Sequence, residues 1–244
     1  MALIGGTAHA REASPHASRS SEVRRATPPA KSSDKARRSS KAQPRPKPTP
    51  PKPSSEATFV TEGWAIERRF DADLDGDGAR DRVLVVLQHD ADKTEFRRRA
   101  LVILLRREGG YILGGQNDKL INCLDCGGVR GGDGSPQLEI QRGSLVVTQY
   151  IGSREYSSVT SRFRWSAERR RFELIGEDKT QGDALTGESL TTSCNLLTFA
   201  CIETKTPPQV DDQGNDRRAA SKRRSHPLPR KPPTPLEEVT APDW

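Results

Sequence analysis

The sequence predicts a mainly β protein, an antiparallel meander, sandwich or partial barrel with disordered N- and C-terminal tails. Three observations support this. Short apolar or alternating runs recur between Thr58 and Ile202 with turn residues between them, no stretch carries a capped amphipathic pattern of helical period, and both ends are crowded with Pro, Ser, Lys and Arg.

Met1 to Ala10 end in Ala8-His9-Ala10, the small-x-small form of a signal-peptide cleavage site before Arg11. Residues 1–10 therefore read as the remnant of a signal peptide. A start codon further upstream would supply the missing basic region, and a cysteine at the cleavage site would make the product a lipoprotein. Residues 11–56 hold twelve Lys or Arg against four Asp or Glu, with Val23 as their one large apolar residue. Such a segment cannot bury enough surface to offset roughly 1–2 kcal/mol of backbone entropy per ordered residue, so it is expected to be a disordered linker. Within it, Pro44 to Pro53 has the composition of a polyproline II spacer. Residues 205–244, with eight basic and six acidic residues and a proline-rich end, are expected to be a second disordered tail.

The folded domain is thus placed at 57–204, where twenty basic residues face twenty-three acidic ones. The net charge of +7 belongs to the tails. That distribution suits weak, salt-sensitive polyanion contact through the tails and argues against sequence-specific reading of nucleic acid. No run approaches 18 apolar residues, so the given chain holds no complete transmembrane span.

Within the domain, Asp81 to Gln88 and Arg99 to Arg106 are Val- and Leu-rich runs that read as strands buried on both faces of a sheet, with a helix left open by periodicity for the second. Gln137 to Gln141 and Ser144 to Ile151 alternate with period two. Arg162 to Trp165 puts Phe163 and Trp165 on one side, and Phe172 and Leu174 resume the period after the polar turn Ala167 to Arg170, which predicts a hairpin over Val159 to Ile175. Leu196 to Ile202 is expected as the last strand. Glycine pairs such as Gly109-Gly110, Gly114-Gly115 and Gly127-Gly128 are expected to punctuate the middle as turns.

The most specific chemistry lies in Asp73-Leu-Asp-Gly-Asp-Gly-Ala-Arg-Asp81. With Asp73 at position 1, Asp75 falls at 3, Asp77 at 5, the carbonyl of Ala79 at 7 and Asp81 at 9, with Gly78 at the sharp-turn position 6. That is the ligand spacing of a calcium loop, since calcium takes about 6–8 oxygens and alternate residues of a tight loop point to one centre. Four carboxylates so close would repel one another without a cation. The helical EF-hand adds a bidentate Glu at position 12, where this chain has Leu84 in a strand-forming run.

Phe70 to Val86 therefore resembles the loops of FG-GAP and related VCBS-type bacterial exported proteins, in which the loop leads straight into a β-strand. Looser similarity in Cys126 to Val129, around Tyr150 and Trp165, in Leu174 to Asp178 and in Ser193 to Thr198 extends the resemblance to an uncharacterised group of bacterial exported or lipoprotein-like proteins with one such loop. The resemblance implies a periplasmic or secreted protein with calcium as its ion. It implies no established activity.

Cys123, Cys126, Cys194 and Cys201 allow three disulfide pairings. In an exported protein disulfides are the natural state, and pairing within each neighbouring couple is preferred. A Cys₄ zinc site, free thiols and a redox centre are the alternatives; the six residues between Cys194 and Cys201 exceed the usual ligand spacing for zinc. The domain has one histidine, His89, and neither a Gly-x-Ser-x-Gly elbow nor a phosphate-binding glycine loop. Glu139, Glu155, Glu173 and Asp178 would form a catalytic pair only through tertiary contact. The function expected is thus a non-enzymatic, calcium-stabilised binding module for an unknown protein or envelope polymer. A carboxylate-dependent hydrolase and a tail-mediated polyanion binder are the alternatives.

Overall fold

The computed structural model describes residues 54–89, 96–210, 213–216 and 219–241, all within one compact unit. Its first four strands form a meander, β1 (Trp64–Ala72), β2 (Asp81–Gln88), β3 (Arg99–Arg107) and β4 (Gly110–Asn117), antiparallel and in that spatial order. β2 and β3 lie at the centre, so both of their faces are covered. Val83, Val85, Leu101, Ile103 and Leu105 enter the main core, while Leu84, Val86, Ala100, Val102 and Leu104 point the other way under Phe59, Val60, Trp64 and Tyr111. Alternate residues of a strand point to opposite faces, which is why these two runs are apolar throughout.

A second sheet contains β5 (Gln137–Gln141), β6 (Ser144–Gly152), β7 (Glu155–Ser166), β8 (Arg171–Asp183), β9 (Ser189–Asn195), β10 (Ala200–Thr206) and β11 (Lys222–Pro227). These too run as an antiparallel meander, from β5 at one edge to β11 at the other. Leu145, Val147, Phe163, Phe172 and Leu174 of this sheet share one core with Val83, Val85, Ile103 and Leu105 of the first. The mainly β, open two-sheet arrangement is the expected class, and the strands over 81–88 and 137–141 have the expected limits.

Five expectations are corrected. The run Leu196 to Ile202 is not one strand: Asn195 Oδ1 accepts the N–H groups of Leu197 and Thr198 at 2.9 and 3.0 Å, and this side-chain turn splits it between β9 and β10. Gly114 and Gly115 are not a turn but lie within β4, where a Cβ would sit 2.9 Å from Leu105 Cγ or from Leu236 Cδ2. The glycine loop after Cys126 contains a four-residue helix, α1 (Gly128–Gly131).

The largest correction concerns residues 205–244, expected to be a disordered tail. They supply the end of β10, all of β11 and a 3₁₀ turn over Leu236–Glu238. Leu236 and Val239 are buried in the main core. Average composition hides this, because two apolar residues suffice to fill the gap and a charged edge strand needs only backbone pairing. Asn117 fastens the segment: its Nδ2 donates to the carbonyls of Leu236 and Val239 at 2.6 and 2.7 Å. Leu174 N–H adds a bond to Thr234 O at 2.9 Å. At the other boundary, Ser54 and Tyr111 exchange two backbone bonds of 2.8 Å, so Ser54 to Glu56 belong to the fold. Residues 1–53 lie outside the described residues, and so do the expectations for them.

Candidate metal centre

The loop between β1 and β2 is shaped by its own carboxylates. Asp73 accepts Gly76 N–H through Oδ1 at 2.8 Å and Gly78 N–H through Oδ2 at 3.0 Å. Asp75 accepts Asp77 N–H at 3.3 Å, and Asp77 accepts Ala79 N–H at 2.8 Å. Gly76 and Gly78 take φ of 82° and 85°, a left-handed backbone that side chains with a Cβ disfavour. Here the requirement is conformational, since a Cβ at either position would meet nothing within 4 Å.

Asp81 closes the loop from inside. It is fully buried, accepting Leu74 N–H through Oδ2 at 2.8 Å and Arg106 N–H through Oδ1 at 2.7 Å. Burial pushes its pKa above the ordinary carboxylate value, two backbone N–H groups oppose this, and the charges of Asp75 and Asp77 add to the rise.

Asp73, Asp75 and Asp81 each bring a carboxylate oxygen within 4.8 Å of the others. This triad can hold a metal ion, and its all-oxygen donor set suits a hard cation. Asp77, expected as the ligand at position 5, is outside the triad: its Oδ2 takes Arg107 Nη1 at 3.0 Å, while Arg107 Nη2 bonds Asp75 Oδ2. A positive group thus already sits against the carboxylates, a stand-in for part of the charge an ion would bring. Arg107 lies 32 residues beyond Asp75 at the end of β3, and no local pattern announces it.

The cysteines form two disulfides, Cys123–Cys126 and Cys194–Cys201. The second joins residues that face each other in the β9–β10 register. Disulfides of this kind suit an oxidising, extracytoplasmic compartment. Among the described residues no helix is long and apolar enough to cross a membrane.

Sequence reasoning also missed Arg99, whose side chain is fully buried. It grips Glu67 with two bonds of 2.7 and 2.8 Å, and donates to the carbonyls of Asp133 and Cys123 at 2.7 and 3.1 Å. It also reaches Asp133 Oδ2 and Ser135 Oγ at 3.2 Å. One guanidinium therefore ties the disulfide-closed loop to β1 and β3.

Three of the four carboxylates considered for catalysis are held by separate partners, while Glu155 lines a cleft with Asp183 and Glu188. Glu173 is held by Arg169 and Arg171, Asp178 by Arg162 and Ser193, and Glu139 bonds Gln141. No family model matches the chain, and no similar curated protein or solved structure was found.

Proposed function

We propose that this is an exported, non-enzymatic binding module whose fold is stabilised by calcium at Asp73, Asp75, Asp77, the Ala79 carbonyl and Asp81. The observation that carries the reading is the convergence of Asp73, Asp75 and buried Asp81 within 4.8 Å, in a loop that runs directly into β2. Oxygen-only donors favour calcium or magnesium over softer metals, and a loop offering carboxylates together with a backbone carbonyl favours calcium over the strict octahedron of magnesium. Without a Glu at position 12 the affinity falls in the extracellular range, about 10⁻⁴ to 10⁻³ M. Such a site fills outside the cytosol, where the two disulfides are also stable.

The bound partner is an envelope polymer or another exported protein. A cleft of about 570 Å³, with Tyr156, Gln181, Glu188, Leu190 and Lys205 among its lining residues, offers the mixed polar and apolar surface such a partner needs. A second reading, polyanion contact, draws on the exposed edge strand β11, where Lys222, Arg223 and Arg224 follow one another. Retention on an anionic resin that falls steeply with salt, and is lost when these three are neutralised, would favour it.

Calorimetric titration tests the calcium reading. One calcium per chain is expected, with binding lost in Asp75→Ala and Asp81→Ala; no heat of binding at millimolar calcium would contradict it.

A further inference from the structure

We infer that Arg107 is a built-in competitor of the metal, a guanidinium that occupies the loop when calcium is absent and must leave when it binds. The inference rests on the reading of this loop as a calcium site. Arg107 spans Asp75 and Asp77 by one nitrogen to each. The Asp75 side chain is only 5% exposed, so this is not a fully solvated surface pair that salt would screen away.

The geometry sets up an exclusion. The metal-ready triad contains Asp75 but omits Asp77, and the Asp77 oxygen not used within the loop is the one on Arg107. For the position-5 ligand to turn inward, it must release the guanidinium. A divalent ion held by Asp75 would also stand beside the positive charge on that same carboxylate, and like charges at such range repel. The two cations therefore share an anionic seat. By linkage, Arg107 weakens calcium binding by the same factor by which calcium weakens the Arg107 ion pairs.

This arrangement has two consequences. Without calcium, Arg107 offsets part of the repulsion among four carboxylates and keeps the loop closed. With calcium, the guanidinium is released beside the Gly109-Gly110 turn between β3 and β4, so the state of the ion is displayed as a surface charge.

Calcium titrations of the full chain and of its Arg107→Gln and Arg107→Lys variants test this. Arg107→Gln is expected to lower the calcium Kd roughly three- to tenfold, in keeping with one partly buried ion pair. Arg107→Lys should fall between, since it keeps the charge but loses the fork. In chelator Arg107→Gln should melt below the wild type, so that its calcium-induced shift is the larger. A wild type that binds calcium together with an Arg107→Gln chain that binds no more tightly would overturn the inference while leaving the calcium site standing. Absence of calcium binding in the wild type would remove both. Should Arg107→Gln not fold, the wild type decides: nitrogen NMR should show the Arg107 Nε–H signal shifting and exchanging faster at saturating calcium, and a signal unmoved and still protected would refute release.

Discussion

Two loops in this protein are organised around charge, and they solve opposite problems. The loop Asp73 to Asp81 gathers carboxylates, with the positive Arg107 drawn to its side. The loop Cys123 to Ser135 gathers carbonyls and acidic groups around one buried positive charge, Arg99. Within the first, the carboxylates accept N–H groups two to seven residues away, and only Arg106 and Arg107 reach it from afar, across 25 to 32 residues; the bonds from Arg99 to the second span 24 to 36 residues. A site whose carboxylates are set mostly by local bonds can exchange its cation, whereas a cation held inside by distant elements is part of the framework. The acidic loop therefore suits an exchangeable ion, and the Arg99 loop suits permanent architecture.

The largest effect should come from breaking the framework. Arg99→Met leaves the Glu67 carboxylate without its ion pair and takes one donor each from the Cys123 and Asp133 carbonyls, which keep the N–H groups of Cys126 and Asp125; with Glu67 20% exposed, the loss should be about 3 kcal/mol, the lower end for a buried pair. Urea melting should show that loss with calcium present or chelated; a loss that calcium restores would erase the distinction between the two loops. Asp81→Ala comes next. It orphans the Leu74 and Arg106 N–H groups, at about 2–3 kcal/mol in chelator, and should also abolish the calcium response.

Removing the Cys123–Cys126 bridge by a double substitution to Ala should cost about 2 kcal/mol or less, because the closed loop is short. If Arg99 already holds this loop, the value should fall at the lower end, and a larger loss would shift the credit from the arginine to the disulfide. The smallest effect concerns acid. Glu56, paired with Arg69 first and Arg82 second, is held below its usual pKa of 4.5. A depressed carboxylate contributes stability above its unfolded pKa and loses it as pH falls through the folded value. Glu56→Gln should therefore flatten the acid limb of the stability profile and leave neutral and basic pH differences constant.

The same contrast explains what was legible beforehand. Asp73, Asp75 and Asp81 could be read because their spacing along the chain is their spacing in the site. The strands over 81–88 and 137–141 could be read because burial leaves an apolar or alternating pattern. β1 was not, since Glu67, Arg68 and Arg69 interrupt its pattern, and Glu67 is there to meet Arg99. Arg99 and Arg107 gave no signal, because a lone arginine beside an apolar run looks like an ordinary strand end. The C-terminal segment was hidden in a different way: Leu236 and Val239 are too few to raise local hydrophobicity, yet both are buried in the main core.

The central claim, that the acidic loop stabilises this fold by holding calcium, is tested most directly by melting curves of the full chain in calcium, in magnesium and in chelator. At a calcium concentration ten times Kd the gain is about 1.4 kcal/mol, which raises the melting temperature by about 3–6 °C for a domain of this size. Magnesium should give less, and Asp75→Ala should remove the calcium shift. Identical curves in all three solutions would contradict the account.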